Sequence, residues 1–114
     1  MRLDQLRKFA LTLRQTTVVK QWGECLVFKV AGKMFAVVAL EPARVWIAFK
    51  STPEEFAELT ERPGIVPAPY SARYYWVALE TKDALSTVEL KQQLRRSYDL
   101  VFEKLPRRAR AELR

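Results

Sequence analysis

Two lysines flank a short turn in the first third of the chain, and they are the first residues whose spacing suggests a chemistry. Lys29 and Lys33 stand on either side of Ala31 and Gly32, between two β-prone segments. Lysine ammonium groups contact nucleic-acid phosphates, and a hairpin end can enter a groove of duplex DNA like a wing. A lysine pair at a hairpin end is also common where the lysines serve only to keep an exposed turn in water. The turn is therefore a candidate phosphate-binding wing with a purely structural alternative.

The end of the chain carries a second concentration of positive charge. Residues 104–114 hold five basic residues and one acidic residue, a net charge of +4 out of +7 for the whole chain. The candidates for phosphate contacts here are Lys104, Arg107 and Arg108. Surface cations attract polyanions because binding releases counterions. We expect residues 107–114 to form a basic tail that follows the folded domain.

Several residue types that catalysis commonly uses are missing. The sequence has no histidine, the commonest general base near neutral pH and the commonest metal ligand. Its three glycines are scattered, and neither of the glycine-rich phosphate-loop patterns is present. Four carboxylates lie close enough in sequence to pair as acid and base or to hold a cation, although a solvated acidic helix face is the commoner reading: Glu54, Glu55, Glu58 and Glu61. We expect a protein that is not an enzyme and needs no cofactor.

The single cysteine and the apolar runs indicate where the protein resides. Cys25 cannot form an internal disulfide, which suits a reducing compartment, and its apolar neighbours predict a buried packing residue. No run approaches the roughly 20 apolar residues that span a bilayer, and the first residues lack the apolar core of a signal peptide. We expect a cytoplasmic protein that does not enter a membrane.

Aromatic residues are numerous for a chain of this length. They include Trp22, Trp46, Tyr74, Tyr75 and Trp76. Exposed aromatics among basic residues can stack on bases, whereas aromatics in strands usually fill cores, so we expect at least two of the three tryptophans to be buried. The proline-rich segment 65–70 ends in Tyr70 and is followed by Arg73, a further candidate phosphate contact. The alternative is that this segment is an ordered loop whose only role is to hold the next strand in place.

The apolar pattern predicts one helix followed by a meander of strands. Leu3, Leu6, Phe9, Ala10 and Leu13 recur at spacings of three and four, which is typical of an amphipathic helix. Four β-rich runs follow, over residues 16–22, 25–30, 33–40 and 44–50. The breaks between them are short enough for hairpins, so the strands should be antiparallel neighbours.

The hairpin around Ala31 and Gly32 predicts a strand register. Val30 should pair with Lys33 and Phe28 with Phe35, which places Leu26, Phe28, Phe35 and Val37 on one face, the expected core face. The opposite face would carry Cys25, Val27, Lys29, Met34, Ala36 and Val38. This second face is too apolar to lie wholly in water, and we expect something to cover part of it.

Two capping boxes mark the remaining helices. Thr52 to Glu55 begins a short helix near Pro53, and Ser86 to Glu89 begins a long helix near Thr87. Between them, Gly64 suits a left-handed turn, and residues 74–79 predict a fifth strand. The fold class is therefore α+β, one antiparallel five-stranded sheet in the order α-β-β-β-β-α-β-α, with helices packed mainly on one face.

Several separate segments resemble one known family in the right order. They are Trp22-Gly23, FKVAGKMFA from Phe28, ERPGIVPAPY from Glu61, Trp76-Val77 and SYDLVFEKLP from Ser97. The chain is identified by them as a member of the MmcQ/YjbR family over about residues 3–106. The resemblance implies one domain over residues 1–106, a two-layer sandwich like that of type III secretion chaperones, and a basic tail after it.

The resemblance also implies a function, because the family is named as DNA-binding. Lys50 matches a lysine that is usual in the family just before the second helix, and it could add a phosphate contact across the sheet. We expect a small monomeric protein that binds DNA weakly and in a salt-sensitive way. A protein–protein adaptor is the alternative hypothesis, which the chaperone-like fold and the apolar second sheet face would suit.

Overall fold

A computed structural model describes residues 1–69 and 71–112 of the chain. Its helices are α1 Leu3–Leu11, α2 Pro53–Leu59, α3 Thr87–Glu103 and α4 Arg107–Glu112. Its strands are β1 Thr16–Gln21, β2 Cys25–Val30, β3 Lys33–Ala39, β4 Ile47–Lys50, β5 Ile65–Pro67 and β6 Trp76–Leu79. Within these residues, no helix has both the length and the apolar composition that crossing a membrane requires.

The strands of the described residues form one sheet in the order β1-β2-β3-β4-β6-β5, and every neighbouring pair is antiparallel. The predicted meander of four strands is confirmed. The predicted count of five strands is wrong, because β5 forms where we expected only a loop. Its Pro67 is tolerated since β5 lies at the edge of the sheet, where a residue without an N–H group need not break a ladder.

The helices α1, α2 and α3 pack on one face of the sheet, in agreement with the two-layer prediction. α1, α2 and α3 begin at the predicted residues, and both predicted capping boxes are formed, with Thr52 and Ser86 accepting from the amides of Glu55 and Glu89. The core between helices and sheet contains Leu6, Phe28, Phe35, Phe49, Val77, Leu90 and Leu94. Residues 107–112 of the predicted basic tail form the short helix α4.

A β-bulge in β3 changes the predicted register. Val30 pairs with Lys33 as expected, but Phe28 pairs with Ala36, because Phe35 is an extra residue between the pairs that β2 makes with Met34 and Ala36. One extra residue shifts the alternation of side chains beyond it. The core face therefore carries Ala36 and Val38, and Val37 lies on the helix-free face, the reverse of our prediction.

Two other boundaries differ from the predictions for local reasons. β6 begins at Trp76 rather than Tyr74, because Ala72–Tyr74 form a 3-10 helix that ends at Tyr75 with a φ of 65°. This left-handed turn is held by Ser51, whose amide and hydroxyl both donate to the Tyr75 carbonyl, at 2.9 and 2.7 Å. β4 begins at Ile47, three residues later than predicted.

Candidate functional site

Three lysines from separate elements line one cleft at the end of the sheet. Lys33 is the first residue of β3, Lys50 is the last residue of β4, and Lys104 follows the last turn of α3. The cleft has a volume of about 300 Å³, and its apolar lining includes Met34, Trp76 and Val101. We call it the lysine cleft. Antiparallel pairing brings these strand ends together, and the end of α3 closes the other side.

The charges of the lysine cleft are not neutralised within the described residues. None of its three lysines lies within 4.0 Å of a carboxylate oxygen there. Burial lowers the pKa of the Lys50 ammonium, and the neighbouring Lys104 lowers it further. Burial and the charge of Lys104 both disfavour a positive charge on Lys50. An anion bound between the lysines would oppose the repulsion between the two ammonium groups.

Three other basic side chains of the surface are paired with carboxylates, unlike the lysines of the cleft. Arg96 donates to Glu55 at 2.7 Å, Arg95 to Asp99 at 3.2 Å and Arg62 to Glu89 at 2.6 Å. A groove of about 430 Å³ between α1 and α3 contains Arg95 and Arg96, but it also contains Asp99. Both arginines of the groove are therefore paired, and Lys91 is its one lining cation outside the ion pairs of the described residues. The lysine cleft brings three such cations together.

Ser97 positions the lysine-bearing end of β4. Its side chain is fully buried, and its hydroxyl donates to the Phe35 carbonyl at 2.6 Å and accepts from the Lys50 amide at 3.0 Å. One side chain thus satisfies backbone groups at the β3 bulge and at the last residue of β4. Sequence reasoning missed this role. Ser97 follows the buried Leu94 by three residues, and a hydroxyl at that position of the helix must find partners.

The structure separates the two lysines of the predicted wing. Lys29 pairs with Met34 on the helix-free face, whereas Lys33 pairs with Val30, whose side chain lies in the core. Because the side chains of an antiparallel pair share one face, the two lysines project from opposite faces of the hairpin. Lys33 is brought together with Lys50 and Lys104 instead, so the predicted residues form a different site.

Of the remaining residues that were predicted to contact phosphates, some lie beside the lysine cleft and others lie outside it. Arg107 and Arg108 are exposed on α4, directly after Pro106, which lines the lysine cleft. Arg73 lies outside the cleft on the 3-10 helix, with its guanidinium carbon 4.8 Å from the centre of the Tyr74 ring. Tyr70, which ends the predicted loop, and Leu113 and Arg114 of the predicted tail lie outside the described residues.

The tryptophans are less buried than we predicted. Trp76 is buried, Trp46 is half-buried with its indole N–H donating to the Thr81 carbonyl at 3.0 Å, and Trp22 is 65% exposed. The prediction that at least two are buried is therefore wrong. Trp22 follows β1 in a tight turn with a φ of 52°, beyond the strands that fill the core.

An apolar pocket of about 490 Å³ lies on the helix-free face of the sheet. Its lining includes Trp22, Cys25, Met34, Val37, Pro69 and Trp76. We call it the sheet-face pocket. Ala68, Pro69 and Ser71 form one wall, so the segment after β5 covers part of this face, as expected. Cys25 is half-buried here rather than buried in the core, because β2 directs it to the helix-free face.

The two cavities are neighbours. Met34 and Trp76 line both the lysine cleft and the sheet-face pocket. Met34 lies next to Lys33 in β3, and Trp76 pairs with Lys50 across β4 and β6. A positively charged cleft therefore adjoins an apolar pocket across two shared side chains. Within residues 1–69 and 71–112, no group of three His, Cys, Asp or Glu side chains is arranged to hold a metal ion.

These features define an α+β domain in which helices cover one face of an antiparallel sheet and a basic cleft lies at its end. The chain belongs to the YjbR family, whose model matches residues 11–100. The search of curated proteins found no match. The family assignment confirms the resemblance that the sequence motifs indicated.

Solved structures similar to this chain include two with the following matches. DR2400 of Deinococcus radiodurans, which has a DUF419 domain, shares 29% identity with a TM-score of 0.85, and the match covers 97% of this chain and 86% of DR2400. A protein from Pseudomonas syringae shares 23% identity with a TM-score of 0.74 over 88% of this chain and 98% of that protein. The second likeness concerns the fold alone.

Proposed function

We propose that this chain is a small non-catalytic DNA-binding protein that contacts phosphates through the lysine cleft, with Arg107 and Arg108 beside it. The observation that carries the proposal is the convergence of Lys33, Lys50 and Lys104 without a carboxylate partner among the described residues. Like charges that are held close together repel each other. A phosphate placed between the lysines attracts each of them and offsets that repulsion.

The lysine cleft replaces the hairpin wing as the binding surface. Lys29 projects from the face of the hairpin opposite to Lys33, and it does not line the lysine cleft. Lys33 and Lys104 are exposed, and Arg107 and Arg108 extend the basic surface along α4. Exposed cations of this kind suit the repeated charges of a nucleic-acid backbone.

Phosphate contacts predict the character of the binding. They position a protein on DNA but carry no direct information about base sequence. Binding through them is sequence-tolerant, with dissociation constants on the order of 10⁻⁴ to 10⁻⁶ M at physiological salt. Each phosphate contact also adds about 0.9 to the slope of log affinity against log salt concentration. We therefore expect weak, steeply salt-dependent binding to duplexes of any sequence.

The decisive experiment compares two double variants that remove the same charge. Lys33→Ala with Lys104→Ala removes two exposed cations from the cleft, and Arg7→Ala with Lys8→Ala removes two exposed cations from α1. Fluorescence anisotropy of a labelled duplex is measured across a range of salt concentrations. The cleft variant should bind more weakly, with a salt slope lower by up to about two. The α1 variant should keep the slope of the parent protein.

Truncation after Pro106 separates the cleft from the basic C-terminal residues. The truncated protein should retain measurable binding at low salt, where electrostatic association is strongest. If the truncated protein loses all binding while the cleft variant binds like the parent, the terminal residues act alone and the cleft proposal fails. If none of these proteins binds DNA at low salt, the adaptor hypothesis takes its place.

A further inference from the structure

The sheet-face pocket has the size and composition of a ligand site. Its volume of about 490 Å³ lies within the range of about 300–1,000 Å³ that small-molecule sites occupy. The walls are side chains of Trp22, Met34, Val37 and Trp76, and Cys25 and Ser71 contribute the lining's polar side chains. An apolar body that filled this space would remove apolar surface from water on both sides of the contact.

The adjoining lysine cleft determines which apolar ligand would fit. Met34 and Trp76 line both cavities, so the apolar pocket and the lysines Lys33, Lys50 and Lys104 lie on two sides of the same pair of side chains. A neutral hydrocarbon would leave the three lysines without a partner, and a purely charged ligand would leave the pocket empty. A ligand with an apolar body and one anionic end satisfies both.

We infer that this chain binds an amphipathic anion, with its hydrocarbon or aromatic body in the sheet-face pocket and its carboxylate or phosphate group on the lysine cleft. The inference goes beyond the proposed function and does not require it, since the ligand site stands whether or not DNA binds. Where both hold, they share the lysines, so ligand and DNA must weaken each other's binding by the same factor.

The single cysteine of the chain provides a readout of pocket occupancy. Cys25 lines the sheet-face pocket and is the chain's only cysteine, so alkylation by iodoacetamide reports on this position alone. The alkylation rate is measured against increasing dodecanoate, dodecanol and acetate, each below any micelle-forming concentration. Tryptophan fluorescence, to which Trp22 and Trp76 contribute, is recorded in parallel.

Dodecanoate should slow alkylation in a saturable way. Dodecanol should require a concentration higher by about tenfold or more, because it lacks the charge-assisted contact, and acetate should have no effect. Between hexanoate and dodecanoate, each added methylene should improve binding by up to about fourfold until the pocket is full. Equal potency of dodecanoate and dodecanol, or no protection of Cys25 by either, would overturn the inference.

Variants test the two ends of the ligand separately. Lys50→Gln with Lys104→Gln should reduce dodecanoate potency towards that of dodecanol without changing dodecanol itself, and Arg7→Gln with Lys8→Gln should change neither. Ala48→Leu enlarges a half-buried side chain that lines the pocket, so it should weaken binding of both ligands. Parent-like dodecanoate binding by both cleft and pocket variants would contradict the assignment of the site.

Two further experiments test whether the ligand is a free amphiphile or a lipid surface, and whether the ligand competes with DNA. At a salt concentration that screens exposed charges, phosphatidylglycerol vesicles should not sediment the protein. Sedimentation under that condition without a response to free dodecanoate would replace the inference with binding to a membrane surface. Dodecanoate should also displace labelled duplex from the lysine cleft, whereas acetate should not. If no DNA binding is detected but Cys25 is protected by dodecanoate, the proposed function fails while the ligand site stands.

Discussion

The hydroxyl of Ser97 donates a 2.6 Å hydrogen bond to the carbonyl oxygen of Phe35, the bulged residue of β3. The same hydroxyl accepts a hydrogen bond from the amide of Lys50. The long helix and two strands therefore meet at one fully buried oxygen. This contact places the end of β4, and with it Lys50, beside the end of α3. The lysine cleft depends on that alignment.

Replacing Ser97 should cost stability because two backbone groups lose their partner. We expect Ser97→Ala to lower the free energy of unfolding by about 1–3 kcal/mol, measured by urea denaturation. Thr12→Ala is the matched control, since the Thr12 hydroxyl also donates to a backbone carbonyl, that of Phe9, but in an exposed position. It should change stability by no more than about 0.5 kcal/mol. Equal effects of the two substitutions would contradict the structural role of Ser97.

Gly64 adopts a conformation that only glycine accommodates well. Its φ is +82°, and a Cβ atom would lie 2.9 Å from Thr81 Oγ1 and 3.2 Å from Ala84 Cβ. Gly64→Ala should therefore add a steric cost to the backbone cost of about 1–2 kcal/mol. Gly32 has a φ of +81° with nothing within 4 Å, so Gly32→Ala should carry the backbone cost alone. Thermal denaturation of both variants compares them directly, and an equal loss would argue against the predicted crowding.

Lys50 should make stability depend on alkaline pH. Its folded-state pKa is below the ordinary value of 10.5 because of burial and the nearby Lys104. At pH values between the pKa of Lys50 in the folded protein and 10.5, the Lys50 side chain binds more protons in the unfolded chain than in the folded protein. The contribution of Lys50 to the free energy of unfolding therefore rises with pH. We expect Lys50→Met to be at least as stable as the parent at pH 7 and to lose that advantage towards pH 10.5. Urea denaturation of both proteins across this range measures the difference, and a constant difference would contradict the prediction.

Glu89 should contribute to stability at neutral pH and lose that contribution in acid. The Arg62 guanidinium, followed by the Ser86 amide, lowers the pKa of Glu89 from 4.5 to about 2. A lowered carboxyl pKa gives stability that is present above 4.5 and lost as pH falls towards 2. Glu89→Gln should be less stable than the parent at pH 7 and similar to it near pH 2. Because the pair is exposed, high salt should shrink the difference, and Glu112→Gln is a control on α4.

Local interactions allowed much of the fold to be predicted from the sequence alone. The capping boxes at Thr52 and Ser86 act within three residues, and both helices begin where those boxes predict. The Ala31-Gly32 turn likewise determines the pairing of Val30 with Lys33, because a tight turn aligns the residues that flank it. Lys33, Lys50 and Lys104 were all named as candidate contacts from the sequence.

Only the tertiary structure decided how those candidates are arranged. The bulge at Phe35 is held by Ser97, which lies 62 residues away in the sequence, and no local pattern indicates it. β5 is a strand because its three residues pair with β6, although Pro67 suggests a loop. The three lysines meet because strand ends and the end of a helix converge. A contact between residues far apart in the chain depends on how whole elements pack, and local propensity carries no information about that.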